Sequence, residues 1–418
     1  MHHQSFGVTD PGRICTQNQD TIFLDDDIGL YILCDGCGGH AAGEVASSMT
    51  RDITGEVIRR EYHVLADYAA DPTRAKRGKA LELISSAIDT ASEHIYEAAR
   101  TDLSKGGMGS TIVLLAVVGD RAIVAHAGDS RGYLLREGQM HQLTEDHNMA
   151  DQYVRMGLIT SQDSRTSRYA TMITRAVGFH PRARVDTLHF ELAGGDALLL
   201  CSDGLTRYLS EGELADLCGE GFSSETPARM IGAANDRGGE DNVSVIVVNI
   251  PPDVSSADRD VSRGLRILQQ LSLFRHLSFK ELLRIMDLAD VETYHAGQRI
   301  VAEGDPSDQV FISISGSVRI VKGGQALADL PEGALLGELG LIDHGPRSAD
   351  IVATEPVRLM TISRRDFFCL LKQDGIMATK VLWGLCHVLS GRLRDTDKYL
   401  SDAKWGLDQL TPEAQPFV

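Results

Sequence analysis

Four aspartates sit where an apolar run gives way to a glycine or a polar turn: Ile32-Leu33-Cys34-Asp35-Gly36, Ala127-Gly128-Asp129-Ser130-Arg131, Leu200-Cys201-Ser202-Asp203-Gly204 and Gly239-Glu240-Asp241-Asn242. A strand that ends in a carboxylate holds it rigidly, and a neighbouring glycine lets backbone and solvent approach, as a hard cation with oxygen ligands requires. Taken singly, each is equally well explained as an Asp-Gly turn; four in one chain point to a metal centre. A second chemical group lies at Gly337-Glu338-Leu339-Gly340-Leu341-Ile342-Asp343-His344-Gly345-Pro346-Arg347-Ser348-Ala349-Asp350. Free amides at the start of a short helix, together with a guanidinium nine residues after the glutamate, would bind an anion. Cys34 and Cys37 form a CxxC, but with no second pair they argue little for zinc.

These residues need rigid elements beneath them. The chain has 418 residues, 43% hydrophobic and 24% charged, a globular composition too long for one core, so two or three domains are expected. The polar, proline-led stretch Pro251 to Asp260 lacks periodicity and divides the chain into domains at 1–250 and 264–400, with a linker at 251–263 and a tail at 401–418. Upstream, apolar runs at 29–34, 111–118, 122–126, 132–135, 197–201 and 243–250 read as strands, with helices near 39–62 and 75–101; this is an α+β layered pattern. Downstream, helical spacing at 264–288 and 365–396 brackets short strands punctuated by glycine, the pattern of a small β-roll clasped by helices.

Charge and composition exclude several functions. The formal charge is −18, with 22 basic against 36 acidic side chains in residues 1–250 and 19 against 23 in the remainder, which disfavours a nucleic-acid backbone as partner. The longest apolar run, Thr111 to Gly119, is strand-length, well short of the roughly 18 to 20 residues a bilayer needs, so no membrane span is expected. With no signal-like N-terminus and seven scattered cysteines, the expectation is a cytoplasmic protein with reduced core thiols.

The ordered landmarks Asn18-Gln19-Asp20, Asp35-Gly36-Cys37-Gly38-Gly39-His40, Gly109-Ser110-Thr111, Gly128-Asp129-Ser130-Arg131, Leu143-Thr144-Glu145-Asp146-His147, Arg175-Ala176-Val177-Gly178, Ser202-Asp203-Gly204-Leu205 and Asp241-Asn242 make residues 5–250 resemble the metal-dependent, 2C-type serine/threonine protein phosphatases, particularly bacterial members. The resemblance implies a four-layer αββα sandwich holding two to three Mn²⁺ or Mg²⁺ ions, and hydrolysis of phosphoserine or phosphothreonine in proteins by a water that two metals activate. Carried over by motif, Asp35 bridges both ions, the Gly36 carbonyl ligates one, Asp203 and Asp241 ligate the other, Asp20 acts through a bound water, and Asp129 with Asp203 matches a weaker third site. Cys15 departs from the pattern, standing where the family commonly has a phosphate-gripping arginine; Arg13 either substitutes for it or is a surface charge. Cys37 stands where eukaryotic members have a proposed acid, and His40 reads as structural rather than catalytic. Residues 148–172 correspond to the variable flap, either a phosphoprotein-recognition segment or a solvated surface.

The cassette at 337–350, with Gly297, Gly304 and Gly316 marking the strands before it, makes residues 265–398 resemble cyclic-nucleotide-binding domains. The resemblance implies that Arg347 pairs with the cyclic phosphate, that Glu338 accepts from the ribose 2′-hydroxyl, and that Gly337, Leu339 and Ser348 line the same pocket. The order of residues is most similar to the bacterial cAMP-binding activator, which favours cAMP, while Ser348 keeps cGMP open. Leu382, Leu385, Leu389 and Leu393 at helical spacing suit a core-packing helix and also a homodimer seam. The expected function is a cyclic-nucleotide-regulated phosphoprotein phosphatase. The alternative is a cyclic-nucleotide sensor with a catalytically weak, phosphoprotein-binding phosphatase-like domain.

Overall fold

In the strands Leu30–Cys37 and Ile112–Val118 nearly every side chain is buried, so both faces of the sheet that contains them must be covered. The computed structural model, which describes residues 3–38, 41–219, 222–252, 256–338, 340 and 345–410, shows what covers them. Leu30, Ile32 and Cys34, with Ile112, Leu114 and Ala116, point to one side, against the helices Ala41–Arg60 and Arg74–Thr101. Ile84, Ile88, Ala91 and Ile95 form the matching helical stripe. Successive strand side chains alternate in direction, so Tyr31, Leu33, Val113 and Leu115 face the other way, into a second sheet. A Cβ built on Gly132 would lie 3.5 Å from atoms of both Val113 and Leu200, which belong to different sheets.

The first sheet runs Asp20–Asp25, Leu30–Cys37, Ile112–Val118, Arg121–Ala127, Asp186–Glu191; the second runs Gln4–Asp10, Val243–Asn249, Ala197–Cys201, Arg131–Arg136, Gln139–Gln142. All described pairings in both are antiparallel. Helices Glu211–Gly219 and Thr226–Asp236 cover the outer face of the second sheet through Leu214, Met230, Ile231 and Ala234 packed on Leu199, Val243, Val245 and Val247. The result is the four-layer α+β sandwich expected from the sequence. Because strands alternate in direction, the starts of Asp20–Asp25 and Val243–Asn249 fall at the same end as the finishes of Leu30–Cys37, Arg121–Ala127 and Ala197–Cys201.

This sandwich belongs to the first of two compact units, Met1–Val261 and Ser262–Val418. The stretch expected as a linker is helical from Ser256, within helix Ser256–Gln270, and the stretch expected as a tail is helical to Leu410. The second unit holds two four-stranded sheets, one of Ala289–Tyr294, Val357–Ser363, Gln309–Ser315 and Leu335–Leu336, the other of Arg299–Val301, Asp350–Ala353, Val318–Lys322 and Gln325–Leu330. Phe311, Val318, Leu336, Ile351, Val357 and Leu359 form their common core. Helix Phe279–Met286 starts on a Ser278–Glu281 capping box, and Lys380 on helix Gly375–Leu410 reaches Glu281 at 2.8 Å, so helices from both ends of the domain clasp each other. The cysteines differ in part from expectation: Cys34, Cys201 and Cys218 are buried, but Cys369 and Cys386 lie exposed on helices. No described helix is long and apolar enough to cross a membrane.

Candidate active site

Pairing brings the acids together. Asp20 and Asp35 are register partners on adjacent strands, and Gly36 N–H donates to the Gln19 carbonyl at 3.1 Å. Gln19 N–H in turn donates to Asn242 Oδ1 at 2.8 Å, and the Asn242 amide donates to the carbonyls of Pro11 and Gln17 at 3.0 and 2.9 Å. Asn242 therefore ties the Asp241 loop to the start of the Asp20 strand. Ser202, just before Asp203, donates its hydroxyl to Asp20 Oδ2 at 2.7 Å and accepts from Ser244 N–H at 2.9 Å. Thr111 Oγ1 accepts from Asp35 N–H at 3.0 Å and lies 2.7 Å from Ser130 Oγ, tying the Asp129 turn to the same end.

The electrostatics record the crowding. Asp35 is held well above the usual carboxylate range by burial and by the charges of Asp20, Asp203, Asp129 and Asp241. Burial pushes Asp20 up to about 7 against hydrogen bonds from Ser202 and Ser244 that oppose the rise. Asp129 is pushed up to about 8 by burial and then by Asp203 and Asp146, and Asp203 is raised by burial. Such a set cannot ionise fully without a cation. The residues fit one: Asp20 Oδ1 is buried without a hydrogen-bond partner, and a Cβ on Gly36 or Gly204 would stand 2.1 Å from the Gly43 or Asn242 carbonyl oxygen. Cys37 is no ready acid, its thiol being pushed up to about 12 by burial and by Asp35 and Asp129.

The structure places Arg13 at the surface. The strand Gln4–Asp10 ends before it, and Gly12, at φ +80°, turns the chain there. Its guanidinium lies 4.0 Å from Asp236 and its side chain is 63% exposed, while its backbone N–H donates to the Gly239 carbonyl. Cys15 Sγ lies 3.5 Å from the Glu240 carbonyl. The cation that does reach the acids is Arg207, whose Nη2 lies 2.9 Å from Asp203 Oδ2 and 3.4 Å from Asp241 Oδ2. Its spacing of four from Asp203 was the only sequence signal.

A second cluster also escaped the sequence reading: His126, His147 and Asp186 converge within 4.8 Å. It reads as a brace. His147 Nδ1 accepts from Gly128 N–H at 3.2 Å, its Nε2 faces Asp186 at 3.1 Å, and the Arg175 guanidinium lies 2.9 Å from Asp186 where a second cation would be repelled. With His147 N–H donating to the Gly128 carbonyl at 3.0 Å, the brace fixes the turn that carries Asp129. Within the flap, Arg155 pairs with Glu145 and Asp151, while Met156 and Leu158 are exposed.

In the second unit, a cavity of about 500 Å³ is lined by Gly337, Glu338, Arg347, Ser348 and Arg392 among others. Arg347 is only 6% exposed, yet of its guanidinium only Nη2 has a partner, the Gln309 carbonyl at 2.8 Å; Nε and Nη1 have none. Gly337 sits at φ +74°, where a Cβ would meet Arg347 Nη1 at 2.1 Å. Glu338, buried, is ion-paired with Arg392 from helix Gly375–Leu410. Leu339 and His40 lie outside the described residues.

A two-sheet sandwich with carboxylates gathered at one end is the frame of a metal-dependent phosphatase, and a β-roll with a buried, unsatisfied arginine is that of an anion receptor. Comparison with known proteins agrees: the protein phosphatase 2C model matches residues 11–243 and the cyclic nucleotide-binding domain model matches residues 291–374. The chain belongs to the protein phosphatase 2C family. It is similar to the serine/threonine phosphatase stp of Listeria welshimeri, 34% identical over 245 residues covering 57% of this chain and 93% of that protein. It is also similar to the solved structure of the serine/threonine phosphatase PstP/Ppp of Mycobacterium tuberculosis, with a TM-score of 0.52 and 30% identity over 60% of this chain and 99% of that one. A further likeness is the PstP catalytic domain in complex with two manganese ions, with a TM-score of 0.51 and 29% identity over 60% and 98% of the two chains. The protein is thus a metal-dependent serine/threonine protein phosphatase with a C-terminal cyclic nucleotide-binding domain. The alternative of a sensor with a catalytically weak phosphatase-like domain is not favoured.

Proposed function

We propose that this phosphatase is controlled by a cyclic nucleotide, cAMP before cGMP, with a catalytic domain at 1–250 and a regulatory domain at 264–400. The observation that carries the reading is Arg347, a buried guanidinium with two unpartnered nitrogens facing a cavity. Burying an unpaired cation is unfavourable, and a cyclic phosphate would supply the missing acceptor. Glu338, an acceptor buried nearby, suits the ribose hydroxyl and would exchange its partner Arg392 for it.

In the catalytic domain Asp35 and the Gly36 carbonyl, with Asp203 and Asp241, would hold two Mn²⁺ or Mg²⁺ ions, and Asp129 with Asp203 a third. Such ions, when bound, lower the pKa of a shared water and neutralise charge on a phosphoryl group. Asp20, with Oδ2 fixed by Ser202 and Oδ1 free, is built to orient that water. Substrates are phosphoserine and phosphothreonine proteins. Exposed Leu382, Trp383, Leu393 and Leu400 on helix Gly375–Leu410 favour a homodimer through that helix.

Regulation requires that the nucleotide bind one state of the protein better than another; a preference of about 1–3 kcal/mol changes activity visibly, and we expect activation. Phosphopeptide turnover with manganese, with and without saturating cAMP or cGMP, tests this; identical rates in every condition would end the regulatory reading. Asp203→Asn should abolish manganese-dependent hydrolysis of an aryl phosphate.

A further inference from the structure

The position of Cys15 leaves the phosphatase site without the arginine that the family commonly places there, and the thiol cannot take its place as a cation. Burial and the charges of Asp241 and Asp20 raise its pKa, and Arg13 turns toward Asp236. Other arginines are already engaged: Arg131 makes two-pronged contacts with Asp146 at 2.7 to 3.1 Å and donates to Tyr133, and Arg51 donates to Asp52 at 2.7 Å. Arg207 is different. It follows the one-turn helix Asp203–Thr206, is about one-third exposed (34%), and spans Asp203 and Asp241 with a single nitrogen. Cys15 Sγ lies 3.5 Å from the carbonyl of Glu240, the residue before Asp241, so Arg207 and Cys15 meet the same loop.

We propose that Arg207 is the residue that binds the substrate phosphoryl group in this protein, an inference that rests on the metal-binding reading of Asp203 and Asp241. While those carboxylates have no other cation, the guanidinium neutralises them. Once divalent cations take their oxygens, Arg207 loses its acceptors and is repelled by the new charge. Its N–H donors then face the rim of the site, where a phosphomonoester dianion offers two acceptor oxygens in the geometry a guanidinium matches. Partial exposure keeps the starting ion pair weak enough to exchange. The same residue therefore has two measurable effects: it competes with metal, and it binds phosphate.

The test uses the full-length chain with manganese, comparing wild type, Arg207→Ala, Arg207→Lys and the double variant Arg207→Ala/Cys15→Arg. Arg207→Ala is expected to raise both KM for a phosphopeptide and the inhibition constant for inorganic phosphate by about tenfold or more, with kcat much less affected. Arg207→Lys should recover part of the loss, and Cys15→Arg should restore binding in the alanine background. Calorimetry with manganese alone should show Arg207→Ala binding the metal at least as tightly as wild type. Unchanged KM and phosphate inhibition in Arg207→Ala, or weaker manganese binding with KM intact, would overturn the proposal and leave Arg207 a structural brace. A wild-type chain that takes up no manganese would overturn the metal reading itself, and this proposal with it.

Discussion

Replacing Arg347 by methionine should make the ligand-free regulatory unit no less stable while removing its response to nucleotide. Two buried guanidinium nitrogens lack acceptors, a situation that costs about 1–3 kcal/mol; the substitution relieves it. Against this stands the loss of the stacking of Arg347 on Phe311, at 5.2 Å from the ring centroid, which contributes about 0.5–1 kcal/mol. The balance runs from no change to a gain of about 2 kcal/mol, or zero to about 6 °C in Tm for a unit of this size. Wild type at a hundredfold excess of cAMP over Kd gains about 2.7 kcal/mol, and the variant should gain almost nothing because the lost charge pair costs about 2–5 kcal/mol of binding. Both tryptophans of the chain, Trp383 and Trp405, lie on helix Gly375–Leu410, so intrinsic fluorescence during thermal unfolding follows the regulatory unit selectively. A drop of more than about 5 °C in the ligand-free variant, beyond what the lost stacking accounts for, or a cAMP shift retained in full, would refute the reasoning.

Two further predictions concern the acids. Asp20 and Asp129 hold their protons to about 7 and about 8 in the fold, against about 3.9 in an unfolded chain, so over that interval the folded state binds more protons and stability falls as pH rises. His141, pushed down to about 4 by burial and by Arg136, acts in the opposite sense below about 6.5. Metal-free protein should therefore lose stability between pH 6.5 and 8, with a shallower slope in Asp129→Asn and recovery on adding manganese; calorimetric scans in chelator that show stability rising over this window would contradict it. In the regulatory unit, Glu338→Gln should weaken cAMP by about tenfold and narrow the preference for cAMP over its 2′-deoxy analogue. Equal discrimination in both chains would exclude Glu338 as the acceptor for the ribose hydroxyl.

The layers were legible because they rest on periodicity. Strands buried on both faces appear as unbroken apolar runs, and the long helices carry a clear stripe, so Leu30–Cys37, Ile112–Val118 and Arg74–Thr101 lie within a residue or a few of expectation. The acids were legible for a related reason: a carboxylate beside a glycine at the end of such a run is a local pattern. What could not be read was anything that depends on a turn's direction or on partners far along the chain. Whether Arg13 bends toward the position of Cys15 depends on the left-handed turn at Gly12, which follows the strand Gln4–Asp10 and which no local pattern aims. The His126–His147–Asp186 brace draws on three separate elements, and no spacing announces it. The stretch before Arg263 is polar and proline-led, yet it is helical from Ser256, because composition alone is a weak guide to local structure.

The same division explains why Arg347 stands out in the sequence and Arg207 and Arg392 do not. Arg347 belongs to a contiguous cassette. Arg207 acquires its meaning only from Asp241, and Arg392 only from Glu338, each brought to it by folding. Both serve as counter-ions supplied by the chain itself, holding carboxylates that are otherwise crowded or buried. A carboxylate so neutralised is stable to fold around; on the readings proposed above it becomes available to a ligand only after the arginine leaves, so binding at each site would begin as an exchange of ion pairs rather than the filling of a void. Arg347 is the opposite case, a cation left without an acceptor, where binding completes a set that the fold leaves incomplete. Substitutions should separate the two kinds: removing a counter-ion frees its carboxylate for an incoming cation, whereas removing Arg347 takes away the binding itself.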